Sequence, residues 1–288
     1  MAKIIYNTST REFHLCNQRI SYILSVLENG QLGQLYFGKK LTHRDSFAHF
    51  IQMRTQSHTA YVYENDFLFS LDTIRQEYPS YGTTDFREPA YQIEQGNGSR
   101  ITGFAYKSHE IYSGKKKLNG LPAVYTEDDQ EAVTLDVILE DPLIQVQLIL
   151  SYTIFEDYDV VCRNAKFVNH GCRTVKLNRA MSLSIDLYDD DYEMIQLDGA
   201  WSRERHIVRR KLVGGIQSVS SARGASSMDH NPFIALKRPW ATEQSGEVYG
   251  FCLIYSGNFL AQVEVDRYET ARVMMGINPF EFSWMLET

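Results

Sequence analysis

The constraint that weighs most on this chain is the rhythm of its apolar residues, which alternate with polar ones or cluster in short runs cut by turn residues. Ile20-Ser21-Tyr22-Ile23-Leu24-Ser25-Val26-Leu27 alternates, Asn29-Gly30 turns the chain, and residues 32–37 return. Residues 135–187 are densest. Runs at 135–139, 144–155, 160–168 and 175–187 are β-branched or aromatic, separated by Asp141-Pro142, Glu156-Asp157 and His170-Gly171. Further runs lie at 206–212, 215–221, 233–236, 248–255, 260–265 and 271–275. No window sustains the i, i+3, i+4, i+7 stripe of an amphipathic helix with its caps. The chain is therefore expected to be all-β, a large antiparallel sandwich with few short helices.

Length and composition fit one continuous domain. The 288 residues, 43% of them hydrophobic with 18 Tyr and 15 Phe, supply a sizeable core. Two stretches interrupt the pattern: 43–65 is expected to be a surface loop, and 72–91, rich in Tyr, Pro and Asp, an ordered segment without repetitive structure. A formal charge of −7 disfavours a nucleic-acid partner, which needs a basic face. The one basic run, Lys115-Lys116-Lys117, reads as solvated hairpin charge. Met1-Ala2-Lys3 leads into Ile4-Ile5-Tyr6 without the apolar stretch of a signal peptide, and no run has the length of a membrane span. A cytoplasmic protein without a membrane partner is expected.

Residue types that commonly carry chemistry are present, but their spacings are wrong for it. Cys16, Cys162, Cys172 and Cys252 form no C-x-x-C pair, and Cys252 reads as a small core residue within an apolar run. The eight histidines show no metal-ligand spacing. Acidic clusters at Glu127-Asp128-Asp129 and Asp189-Asp190-Asp191 sit in turns and read as solvated faces; the second lacks the spacing of a calcium loop. Gly224-Ala225-Ser226-Ser227-Met228 lacks the second glycine of a nucleophile elbow. No metal site, cofactor or catalytic constellation is expected in this chain.

One stretch stands apart. In Asp198-Gly199-Ala200-Trp201-Ser202-Arg203-Glu204-Arg205 an indole sits on a turn of small residues, followed by alternating strong charges. If Trp201 is exposed, its face suits the C–H face of a sugar, and Arg and Glu suit its hydroxyls. If it is buried at a strand end, the charges are a surface ion pair and nothing more.

Several segments together resemble one family. They include Tyr81-Gly82-Thr83-Thr84-Asp85-Phe86-Arg87-Glu88-Pro89-Ala90-Tyr91, Leu118-Asn119-Gly120-Leu121-Pro122, the Trp201 stretch, and Arg223-Gly224-Ala225-Ser226-Ser227 with Asn231-Pro232-Phe233. Gly246-Glu247-Val248-Tyr249-Gly250-Phe251 and Met275-Gly276-Ile277-Asn278-Pro279-Phe280 follow in order. The chain resembles the amino-terminal portion of a bacterial α-galactosidase of glycoside hydrolase family 36. The resemblance implies a β-supersandwich spanning 1–288 and lacking its last strand. In complete enzymes a (β/α)8 barrel and a small β-domain follow.

The resemblance also implies retaining hydrolysis of terminal α-galactosides such as melibiose, raffinose and stachyose. Both catalytic aspartates of the family lie in the barrel, so no catalytic residue transfers to this chain. Trp201 stands at the place of a tryptophan that contacts substrate in a neighbouring subunit of a tetramer. Alignment through Tyr36-Phe37-Gly38-Lys39 puts Arg54 where relatives carry a substrate-contacting aspartate. That charge reversal implies a different preference for the leaving group.

Three functions follow as expectations. The first is the non-catalytic sandwich of an α-galactosidase, binding α-galactoside oligosaccharides together with another subunit of a homo-oligomer. The second is a free carbohydrate-binding module. The third, a mutarotase-like epimerase, needs a converging His and Glu that no nearby pair supplies. A missing strand would leave a sheet edge open, so the isolated chain is expected to dimerise or aggregate.

Overall fold

The computed structural model describes residues 2–55 and 61–288; the stretch 56–60, within the loop expected at 43–65, lies outside the described residues. Contacts gather into two compact units, Met1–Leu177 with Trp284–Thr288, and Asn178–Ser283. Every strand pairing is antiparallel. Helix among the described residues is limited to two 3-10 turns, Ala48–Phe50 and Asp129–Glu131. The all-β class expected from the apolar rhythm holds.

In the first unit, β1 (Lys3–Asn7), β2 (Glu12–Cys16), β3 (Ile20–Val26) and β4 (Leu32–Lys39) form one meander. After β5 (Tyr91–Glu94), a second meander joins β6 (Ala105–Ser113), β7 (Ala132–Asp141), β8 (Val146–Phe155) and β9 (Val161–Asn169). β8 begins with strict alternation and ends fully buried, so its branched and aromatic run was legible. β6 is mostly exposed along its length. It presents Lys107, Glu110 and a face of mixed polarity, and no apolar rhythm announces it.

A buried polar cluster ties the two meanders together. Arg163 of β9 donates to Glu77 at 2.7 Å, and both are nearly inaccessible. Tyr22 of β3 donates to the same carboxylate at 2.5 Å, and Arg163 donates to the hydroxyls of Tyr22 and Tyr152 at 3.0 and 3.3 Å. Burial pushes both phenols well above their ordinary value. Glu77 belongs to the non-repetitive stretch expected at 72–91, which is wired to β4 by backbone bonds from Gln34 N–H to Arg75 and from Glu77 N–H to Leu32. Arg87 closes on Asp85 at 2.9 Å and on the Leu71 carbonyl at 3.0 Å. Stapled charges thus order a segment that has no ladder of its own.

The loop that starts at 43 is anchored rather than loose at its beginning. Phe47 is 2% exposed against Ile23 and Leu35, and its N–H donates to buried Glu12 at 2.8 Å. Beside it, His14 is buried, with Nε2 2.9 Å from Ser21 Oγ and Nδ1 3.1 Å from His43 Nδ1.

The long strand β10 (Val175–Leu187) pairs at its start with β18 (Trp284–Leu286) and continues into the second unit. There β10 joins β17 (Ala271–Ile277), β16 (Phe259–Val265) and β13 (Gly215–Ser220). The other sheet of this unit orders β12 (Arg203–Lys211), β11 (Glu193–Ala200), β14 (His230–Lys237) and β15 (Val248–Cys252). Register partners Asp186 and Arg272 form a two-point ion pair at 2.7 and 2.9 Å with neither side chain accessible.

Two sequence readings are corrected here. Cys252 is exposed: on the edge strand β15 its neighbour Phe251 takes the inward position, and alternation turns the thiol outward. Asp189 is not merely solvated, because Arg238 grips it at 2.5 and 3.1 Å while lying 4.0 Å over the Tyr192 ring and donating to Glu247.

Removing one member of a buried pair strands the other. Asp186→Ala is expected to lower unfolding stability by about 3–5 kcal/mol, read as a lower urea midpoint. A pH effect follows from His14, whose pKa burial depresses to about 4, helped by the charges of His43, Lys3 and Lys40. Its folded pKa lies below its unfolded value, so its contribution is complete above pH about 6.5 and is lost as pH falls toward 4. Unfolding stability should fall by roughly 2–3 kcal/mol over that window, read as a lower urea midpoint, and the fall should flatten in His14→Asn.

Candidate functional site

The β11–β12 hairpin builds the site. Ala200 pairs with Arg203, which leaves Trp201 and Ser202 as the turn, and Ser202 takes a left-handed φ of 64°. Below the turn the register slips: Glu204 and Arg205 together stand opposite Gly199, between the pairs Ala200–Arg203 and Asp198–His206. Arg205 has φ 61°, the left-handed residue of a β-bulge. A Cβ at residue 199 would lie 2.7 Å from both the Arg203 carbonyl and the Glu204 Cα. Glycine is required there by close backbone approach.

The bulge throws the tip side chains outward. Trp201 is 81% exposed and makes no hydrogen bond or ring contact with any described residue. The buried reading of this tryptophan is therefore overturned. A two-residue turn on an edge hairpin has nothing above it to cover an indole. Glu204 Oε1 accepts from Ser202 N–H at 2.9 Å and locks the turn.

The neighbouring strand completes the surround. Gly199 N–H donates to the Asp229 carbonyl at 3.1 Å. His230 Nδ1 donates to Asp198 at 2.9 Å, and Gln196 Nε2 donates to both oxygens of the same carboxylate. The loop from 221 to 229 is pinned by Ser221 Oγ to the Ala225 carbonyl, by Gly224 N–H to Asn258 and by Arg223 to Asp229 at 2.6 Å. Between hairpin and loop lies a pocket of about 530 Å³ lined by Glu204, Arg205, Ser226, Ser227, Met228 and Asn231.

What this pocket can do is limited by its charges. Glycoside hydrolysis needs two carboxylates, and here there is one, already half committed to a turn. No group of three His, Cys, Asp or Glu among the described residues could hold a metal. The arrangement is suited to binding a neutral polyhydroxylated molecule.

Residues 30–287 match the glycosyl hydrolase family 36 N-terminal domain. The chain belongs to family 36. It is 49% identical over 284 residues to alpha-galactosidase AgaA of Geobacillus stearothermophilus, covering 99% of this chain and 39% of that protein. The crystal structure of the alpha-galactosidase from Lactobacillus brevis superposes with a TM-score of 0.96 at 42% identity, covering 98% of this chain and 38% of that one. A substituted AgaA in complex with raffinose gives 0.93 at 50% identity, covering 96% and 38%. This family 36 domain thus spans about two fifths of the length of these relatives.

The two residues singled out from the sequence fall in different units. Arg54 is exposed in the first, after the 3-10 turn Ala48–Phe50; Trp201 is in the second. Arg54 is not among the residues lining the pocket. The spacing of the motifs did not disclose that residues 198–205 and 223–231 converge, because the convergence is made by the β11–β14 register. Met228 and the His230–Asp198 contact carried no signal at all in the sequence.

The Gly199 constraint is checked directly. Gly199→Ala is expected to open the bulge and destabilise the fold by about 2 kcal/mol or more, whereas Trp201→Ala, which uncovers nothing, should stay within about 0.5 kcal/mol. Thermal melts of the two variants beside the wild type make the comparison.

Proposed function

We propose that this chain is the non-catalytic N-terminal domain of an α-galactosidase that hydrolyses terminal α-galactosides such as melibiose, raffinose and stachyose with retention. The sheets form a β-supersandwich that takes part in assembling a cytoplasmic homo-oligomer, and Trp201 walls the sugar site of a neighbouring subunit. Catalysis belongs to two carboxylates of a barrel outside this chain.

The observation that carries the reading is Trp201: exposed, held on a locked turn, and uncovered by its own chain. An indole left in water at this cost suits a face that meets a ligand. Further support comes from the family and from relatives such as AgaA, a substituted form of which was solved with raffinose. Arg54 is assigned to substrate contact by its place in the resemblance, where a cation in place of a carboxylate shifts preference among leaving groups.

A second reading, a free carbohydrate-binding module, draws on the fact that Trp201 and the pocket lie within one unit. Calorimetry separates the two. The module binds melibiose at millimolar affinity or better and loses it in Trp201→Ala, whereas the domain gives no measurable heat.

The purified chain is expected to show no turnover of p-nitrophenyl-α-galactoside; turnover would overturn the proposal. In a chimaera where this chain replaces the matched segment of AgaA, Trp201→Ala should raise KM by roughly 5- to 30-fold, the equivalent of about 1–2 kcal/mol. An unchanged KM would remove Trp201 from the sugar site.

A further inference from the structure

Between β6 and β7 the chain makes a long arm, residues 115–131, that has been given no task. Its base is pinned: Gly114 N–H donates to the Ala132 carbonyl at 2.7 Å, and Thr134 Oγ1 donates to the Gly114 carbonyl at 2.6 Å. Asp128 and Glu131 cap the 3-10 turn Asp129–Glu131 reciprocally, which holds the far side of the arm. We propose that this arm is a two-fold docking surface on which a second copy of the chain seats its own arm. The proposal rests on the homo-oligomer reading and names a surface for it.

The order of residue types along the arm selects that occupant. The arm starts basic at Lys115-Lys116-Lys117, turns apolar through Leu121, Val124 and Tyr125, and ends acidic at Glu127-Asp128-Asp129. Two such arms related by a two-fold axis through the apolar middle run antiparallel. Each basic start then meets an acidic end, and the contact is the same from either side. Arms laid parallel would set like charges against each other, which is costly. Any other partner would have to present the same series in reverse, and a second copy does so by symmetry.

The groups this contact needs are open. Leu121 is 64% exposed, Tyr125 69% and Val124 37%. An exposed apolar patch rimmed by charge is the mark of an interaction site. Lys116 is spent within its own hairpin, on Glu110 at 3.0 Å and over the Tyr112 ring at 4.0 Å. The side chains of Lys115, Lys117, Glu127 and Asp129 make no hydrogen bond or ion pair with any described residue. These four carry the charge pairing.

The test is sedimentation of the full 288-residue chain. The wild type should form a reversible dimer that weakens as salt is added. One variant, Lys115→Glu with Lys117→Glu, makes the arm acidic at both ends; the other, Glu127→Lys with Asp129→Lys, makes it basic at both ends. Each alone should dimerise about tenfold or more weakly. Mixed in equal amounts, the two should form a heterodimer of wild-type strength, because every facing pair is again opposite in sign. Tyr125→Ser should weaken the dimer while leaving its salt dependence. All these positions are exposed or half-buried, so thermal melts of the variants should coincide with the wild type.

A dimer that both reversals leave intact forms through another surface, which overturns the arm and leaves the homo-oligomer reading standing. Variants that weaken singly and are not restored by mixing overturn the two-fold contact. A wild-type chain that stays monomeric overturns both the arm and the part of this domain in assembly.

Discussion

The Asp186–Arg272 pair sets the terms for the second unit. Two full charges lie out of reach of water, on facing positions of β10 and β17, and each is tolerable only because the other is there. That fixes the register of the two strands, since a one-residue slip would leave both charges buried alone. The same logic runs through the first unit, where Glu77, Arg163, Tyr22 and Tyr152 satisfy one another between two meanders. It also explains how residues 72–91 are ordered without a ladder: their hydrogen-bonding groups are met by β4 and by the Asp85–Arg87 pair.

On this frame the site is a matter of backbone geometry. Gly199 permits the bulge, the bulge turns Arg205 into the left-handed region, and the turn above it presents Trp201 to solvent. The β11–β14 register then brings the loop that carries Ser226, Ser227 and Met228 alongside. Rigidity matters for a sugar contact, because a ligand that meets a pre-ordered surface does not have to order it on binding. The turn is locked by Glu204 and the loop is pinned through Ser221 and Asn258, so the surface they form is ordered in advance.

Legibility in the sequence followed burial. The run read at 175–187 coincides with β10, and those read at 144–155 and 160–168 differ from β8 and β9 by one or two residues, because buried branched residues leave a clear rhythm. β1, β2, β5, β6, β11 and β18 were missed. β6 is an exposed edge with a polar face, and β2 buries Glu12 and His14, which periodicity counts as outward-facing. Cys252 was misplaced for the converse reason: an apolar run on an edge strand still turns every second residue to solvent.

The sequence by itself determined the all-β class, most of the strands and the family, since apolar alternation and ordered motifs are properties of residue order. It also located the Trp201 turn. Whether that indole was buried, and what stood beside it, only the tertiary structure decided. The difference has a physical cause: exposure at a hairpin tip depends on what packs above it, and the pocket depends on a register between β11 and β14, strands separated by some thirty residues. Neither quantity is encoded in the local spacing of residue types.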